Sequence, residues 1–190
     1  SGNGTRGFDW VKSTLFPDLS YEELDRMAES GEPKGGLYFY PFFTGAGTPH
    51  YNRNVRAFFY GFDYTMDAHD VIRSVYEGAG YRIRQIIELM ERINNPIENL
   101  RLFGGGAKSD IWVTIIAEIT GKPVATLSTS EAGSTGAAML AGLGCGLFSS
   151  SEEAQSHLRI DRVLEPDQER SQRYNELYAE YLEIGDRVLK

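Results

Sequence analysis

The chain has 190 residues, of which 41% are hydrophobic, and a formal net charge of -8 at pH 7. This apolar content is enough for one folded domain, which we expect to span residues 1–190. The negative charge argues against nucleic acid or an anionic membrane surface as a partner, because both attract Lys and Arg. No apolar run approaches the roughly 20 residues of a membrane span. A single cysteine and no signal-peptide pattern favour a cytoplasmic protein.

Helical spacing predicts two short helices near the N-terminus. The first begins at Asp9, and the second follows Ser20, which forms a capping box with Glu23. Two aromatic segments, LYFYPFF and AFFYGF, then predict strands. The loop between them, residues 44–54, is long enough to suspect a function.

One long helix is predicted from Asp67 to the residues before Pro96, with an apolar stripe along one face. Gly78 and Gly80 lie inside it. Because glycine weakens a helix, we expect these two residues to allow close packing against a neighbouring element.

The next segments alternate between strand and helix patterns. We predict a strand over residues 100–103, a helix over 110–120 ended by Gly121, a strand over 124–127 and a helix from about 131 to 143. The last of these has almost no bulky side chains, so it could lie close to a sheet or another helix. Cys145, in the run LAGLGCGLF, is expected to be a small buried apolar residue. An amphipathic C-terminal helix should pack one stripe on the domain.

The glycine run in FGGGAKSD could bind a ligand in several ways. A Walker A loop fails because Ala107 stands where its last glycine belongs. A dinucleotide fingerprint fails because Ser109 replaces its third glycine and the next strand lacks an acidic residue at its end. A nucleotide laid against a strand-to-helix turn remains possible. A tight turn that needs positive φ is the structural alternative.

Four segments, in this order, resemble motifs of the C-terminal domain of the FGGY family of carbohydrate kinases. They are FYPFFTGAGTPHYNRNVRAFFYGF, HDVIRSVYEGAGYRIRQIIE, LFGGGAKSDIWVTIIAEITGKPV and EAGSTGAAMLAGLGCGLF. Within the family, the xylulose kinases are the most similar branch.

The resemblance implies an α/β fold of the actin-like ATPase and ribonuclease-H-like class, with a mixed sheet and helices on both faces. It also implies an N-terminally truncated domain that binds ATP with Mg²⁺. The sugar and the catalytic base would belong to an N-terminal domain absent from this chain. We expect a homo-oligomer, or a pairing with the missing half, to cover the edge of the LYFY strand.

Carried over residue by residue, the resemblance implies an adenosine site made of Gly104, Gly105, Gly106, Ala107, Ser109 and Asp110. Asp110 has an alternative role as a negative charge at a helix N-terminus. A second nucleotide-contacting stretch would include Gly4, Thr5 and Asp9. No catalytic residue and no metal ligand is assigned within the chain, and the lone histidines, His50 and His69, are expected to have ordinary loop or helix roles.

The implied function is ATP-dependent phosphorylation of a sugar, with a ketopentose such as D-xylulose as the first candidate. Ribulose, gluconate, glycerol and erythritol are alternative substrates. A non-catalytic actin-like module for nucleotide binding or assembly is the alternative from another class.

Overall fold

The computed structural model describes residues 4–93, 96–128 and 131–189. Its helices are α1 (Gly4–Leu15), α2 (Tyr21–Glu29), α3 (Ala68–Glu91), α4 (Asp110–Thr120), α5 (Ala132–Gly144), α6 (Ser151–Ser156) and α7 (Gln168–Val188). Its strands are β1 (Tyr38–Tyr40), β2 (Phe58–Tyr60), β3 (Leu100–Leu102), β4 (Val124–Leu127) and β5 (Ile160–Leu164). None of the helices in this part of the chain combines the length and apolar character that a bilayer-spanning segment needs.

The predicted start of α2 and the predicted end of α4 are confirmed. Ser20 Oγ accepts a hydrogen bond from the Glu23 backbone N–H at 3.2 Å, and the Glu23 carboxylate accepts one from the Ser20 N–H at 2.7 Å. Gly121 ends α4 in the left-handed conformation, with φ of 64°. Helix α1 begins at Gly4, earlier than the predicted start at Asp9.

The strands form two small sheets. β1 and β2 pair antiparallel, so that Phe39 lies opposite Phe59. In the second sheet β4 is central and pairs parallel with β3 and antiparallel with β5. This confirms a mixed sheet. Strand β5 was not predicted, because its sequence, IDRVL, is short, charged and mostly exposed.

Helix α3 runs through the centre of the domain, and its glycines allow the close contacts that were predicted. An ideal Cβ on Gly78 would lie 2.2 Å from the carbonyl oxygen of Phe39, and one on Gly80 would lie 2.6 Å from Cδ1 of Ile119. Both distances are shorter than any van der Waals contact, so α3 approaches β1 and α4 closely only because these residues lack side chains.

An aromatic stack joins the first sheet to α7. The Tyr40 ring lies parallel to those of Phe58 and Tyr181, with centroid distances of 4.4 and 4.3 Å. The Tyr40 hydroxyl donates to the carbonyl oxygen of Tyr181 at 2.7 Å. The stack therefore buries large apolar rings and satisfies a buried hydroxyl at the same point.

A buried cation, Arg73, connects three helices. Its guanidinium donates to the carbonyl oxygens of Ala28 and Gly31 at the end of α2 and to the Tyr174 hydroxyl on α7. It also pairs with Glu77 one turn along α3, at 3.0 Å between Nε and Oε1. Because both charges are buried and paired, removing either would leave the other uncompensated.

A second buried carboxyl group, Glu118 on α4, is less well paired. Its Oε1 lies 3.6 Å from Arg170 Nη1, and its Oε2 has no hydrogen-bond partner in the described ranges. Burial raises the pKa of Glu118 above its ordinary value.

Of the two predictions for this region, close packing of α5 is found only at one end of the helix, and a buried Cys145 is wrong. An ideal Cβ on Gly133, Gly136 or Gly144 meets no atom within 4 Å, whereas one on Gly142 would lie 2.6 Å from the Phe148 ring, so this small-residue helix is closely packed only near its C-terminal end. Cys145, expected to be buried, is exposed just beyond the helix end. The reason is that α5 packs chiefly on the short α6, which leaves most of its surface open.

We predict that Gly78→Ala lowers the free energy of unfolding by about 2 to 4 kcal/mol, because the added methyl group clashes with the Phe39 backbone. Gly136→Ala is the matched control, since it places the same methyl group in open space within a helix and should be neutral or slightly stabilising. Urea titration of both variants measures this. Equal losses would contradict the close approach of α3 to β1.

We also predict a pH effect on stability. The folded state holds the Glu118 proton more tightly than the unfolded chain, which ionises near 4.5. The free energy of unfolding therefore falls as the pH rises from that value through the raised folded pKa. Glu118→Gln should reduce this fall, whereas Glu183→Gln, on an exposed part of α7, should not. Urea titrations at several pH values test this, and an unchanged pH slope in the Glu118 variant would contradict it.

Candidate functional site

A cleft of about 470 Å³ opens between α1, α2 and the turn that precedes α4. Buried rings from three helices form its apolar floor. The centroid of Phe8 lies 4.8 Å from that of Tyr76 and 5.6 Å from that of Trp112, and Tyr76 and Trp112 are 5.4 Å apart. Such a floor suits a flat, apolar or aromatic ligand.

Two residues of the glycine run, Gly105 and Gly106, line the cleft, whereas Gly104 does not. Gly104 has a φ of 87°, so a tight turn does require glycine at this residue. A 3₁₀ turn, Gly105–Lys108, follows it. An ideal Cβ on Gly105 meets no atom within 4 Å, whereas one on Gly106 would lie 3.2 Å from the Trp112 ring. Gly105 therefore leaves its backbone bare toward open space, and Gly106 lies over the aromatic floor.

Ser109 connects this turn to the rest of the cleft. As the N-cap of α4, its hydroxyl accepts a hydrogen bond from the Trp112 backbone N–H at 3.2 Å. The same hydroxyl donates to Oδ1 of Asp25 on α2 at 2.9 Å. The Tyr76 hydroxyl also donates to this oxygen. Burial and the bond to Asp25 raise the pKa of Tyr76, so that its hydroxyl remains a donor.

The family resemblance implied that Ala107 and Asp110 belong to the adenosine site, but both lie outside the cleft. Neither is among the residues that line the cleft. Asp110 is exposed and forms an ion pair with Arg162 on β5. Arg162 Nη2 also donates to the carbonyl oxygen of Ala107 at 3.0 Å. Arg162 thus fixes the turn from outside, a role that was missed because β5 was not predicted.

Most of the charged groups of the cleft are acidic. Three carboxyl side chains line it, those of Asp9, Glu22 and Asp25, against one cation, Lys108. Asp9 accepts a hydrogen bond from the Tyr21 hydroxyl at 2.9 Å, which joins α1 to α2 at the cleft wall. This balance of charge disfavours a polyanion inside the cleft.

The other sequence candidates lie elsewhere. Of the second predicted stretch, Asp9 lines the cleft, whereas the surroundings of Gly4 and Thr5 are outside the described part. No residue of the loop 44–54 lines the cleft. His69 Nδ1 lies 2.7 Å from Ser30 Oγ. Across the described ranges, no three potential His, Cys, Asp or Glu ligands come together as a metal site.

We predict that Ser109→Ala lowers the free energy of unfolding by about 1 kcal/mol or more, because it removes the N-cap of α4 and a hydrogen bond to Asp25. Ser150→Ala, which removes the exposed N-cap of the short α6, should cost less. Urea titration of the two variants measures the difference. A smaller loss at Ser109 than at Ser150 would contradict the described cleft wall.

Comparison with known proteins connects this site to one family. The family model described as the FGGY family of carbohydrate kinases, C-terminal domain, matches residues 6–145. A xylulose kinase of Staphylococcus epidermidis is 33% identical over 175 residues, which cover 91% of this chain and 35% of that protein. A glycerol kinase of Saccharolobus islandicus is 32% identical over 181 residues, covering 95% of this chain and 36% of that protein.

Solved structures agree with the sequence comparison. The ligand-bound xylulose kinase of Lactobacillus acidophilus superposes with a TM-score of 0.89 and 26% identity, over 98% of this chain and 38% of that chain. A Plasmodium falciparum glycerol kinase, solved with ADP, gives a TM-score of 0.75 at 23% identity over 96% of this chain and 36% of that one, a likeness of fold alone.

The chain spans little more than a third of the length of these relatives. The matching part is the C-terminal domain by the family model's own description, and both the sequence and the fold agree with that assignment. The chain belongs to the FGGY family of carbohydrate kinases, and it has the actin-like ATPase fold of their C-terminal domain.

Proposed function

We propose that this chain is the nucleotide-binding part of an ATP-dependent carbohydrate kinase, and that its cleft holds the adenosine of ATP. One observation carries the proposal. The predicted residues Gly105, Gly106 and Ser109 line a cleft with an aromatic floor, in a chain that belongs to a kinase family. The bare backbone at Gly105 would let a nucleoside lie directly against the turn.

Charge supports one orientation of the nucleotide. The triphosphate carries several negative charges, and the carboxylates of Asp9, Glu22 and Asp25 would repel it. The uncharged nucleobase can lie on the aromatic floor of the cleft without this electrostatic repulsion. We therefore propose that the base enters the cleft and that the phosphates lie outside it.

The chemistry of phosphoryl transfer is compatible with a nucleotide-binding half that holds no catalytic base. Such transfer depends mainly on positioning and charge stabilisation, with little covalent chemistry from the protein. Mg²⁺ would accompany the ATP, but the described residues offer no group of three ligands for it, and we assign it none. The catalytic base and the residues that contact the sugar substrate would belong to a further domain. We propose that the whole protein is cytoplasmic.

The proposed substrate is a ketopentose such as D-xylulose. Xylulose kinases and glycerol kinases are nearly equally similar to this chain, at 33% and 32% identity. We place the ketopentose first because xylulose kinases are among the similar sequences and among the similar solved structures. A gluconate kinase of Lactobacillus acidophilus superposes equally well, with a TM-score of 0.88, so fold similarity does not separate these substrates. Glycerol is the second candidate.

We predict that Gly105→Leu weakens ATP binding by roughly tenfold or more, because its side chain would fill space that the nucleoside needs. The fold should be retained, since nothing lies within 4 Å of that Cβ. Gly136→Leu, in open space on α5, is the matched control. Calorimetric titration with ATP measures both variants, and unchanged affinity in the Gly105 variant would place the nucleotide elsewhere.

We also predict that the 190-residue chain alone does not phosphorylate D-xylulose or glycerol, because the catalytic base lies outside it. Release of ADP from ATP, measured with and without each sugar, checks this. Sugar-dependent turnover above the background rate would mean that a catalytic base is present in this chain.

A further inference from the structure

The two carboxylate oxygens of Asp25 differ in their hydrogen bonds. Oδ1 accepts hydrogen bonds from both Ser109 Oγ, at 2.9 Å, and the Tyr76 hydroxyl. In the described part of the chain, Oδ2 has no hydrogen-bond partner. Since Asp25 lines the cleft, this free carboxylate oxygen can accept a hydrogen bond from a bound ligand.

The position of Asp25 shows which part of a nucleotide it would meet. Its side chain accepts a hydrogen bond from Tyr76, whose ring is one of the three that form the cleft floor. A nucleobase stacked on those rings would lie beside Asp25, and the sugar and phosphates would extend toward the open side. The group that reaches Oδ2 must also be a donor, because a carboxylate only accepts hydrogen bonds.

We propose that Asp25 Oδ2 accepts a hydrogen bond from the exocyclic amino group of a purine, and so selects aminopurine nucleotides. This inference rests on the proposed function, because it assigns a contact within the same cleft. Asp25 then has two separable roles. Oδ1 holds the turn through Ser109, and Oδ2 recognises the base.

The variant D25N separates these roles. Its amide oxygen can still accept the hydrogen bonds from Ser109 and Tyr76. Its amide nitrogen, however, is a donor where the carboxylate had an acceptor, so the contact with an amino group is lost. E29Q removes a carboxylate from the exposed end of the same helix, outside the cleft, and controls for the change in charge.

The test compares ATP with purine riboside 5′-triphosphate, which lacks the amino group, by calorimetric titration of the 190-residue chain. The native chain and E29Q should prefer ATP by roughly tenfold, the effect of one hydrogen bond to a charged group. D25N should lose this preference and keep the native affinity for the purine riboside nucleotide. Melting temperatures of all three proteins should remain similar, because the bonds to Oδ1 are retained.

Each other outcome overturns the inference. A preference for ATP that persists in D25N would mean that another group recognises the base. Equal weakening of both nucleotides would mean that Asp25 only positions the turn. Equal binding of both nucleotides to the native chain would remove the amino-group contact but leave nucleotide binding intact. Failure of the native chain to bind either nucleotide would instead overturn the proposed function, and this inference with it.

Discussion

The buried guanidinium of Arg73 is the interaction on which the arrangement of the domain depends. It binds carbonyl oxygens in the last turn of α2 and just beyond it, pairs with Glu77 on α3 and contacts Tyr174 on α7. Its cost in desolvation is large, and only a complete set of partners offsets it. Because α2 forms one wall of the cleft, the site is shaped by a charge that no ligand would touch.

Helix α3, which carries Arg73, also contacts the residues that form the site. Gly78 and Gly80 let it lie against β1 and α4, and Tyr76, two residues before Gly78, reaches Asp25. Asp25 in turn holds Ser109 at the start of α4. The glycine turn is therefore fixed between α4 and Arg162 on β5. This leaves the space that a Gly105 side chain would occupy empty, and Gly105 lines the cleft.

Local signals explain what could be predicted from the sequence. The capping box at Ser20 and the bounds of α4 depend on residues that are neighbours in the chain, and they are correct. The contribution of α2 to the cleft could not be predicted, because the hydrogen bond between Asp25 and Ser109 joins residues 84 positions apart. Strand β5 was missed since its pairing with β4, rather than an apolar pattern, makes it a strand. Likewise, small residues suggested close packing of α5 and burial of Cys145, but both depend on which element lies opposite.

Hydrogen–deuterium exchange of the chain with and without ATP tests the central claim most directly. If adenosine occupies the cleft, ATP should slow exchange in the backbone of residues 104–112 and in α1 and α2, and leave α5 and α7 unchanged. Protection confined to other parts of the chain, with residues 104–112 unaffected, would contradict the assignment of the cleft as the nucleotide site.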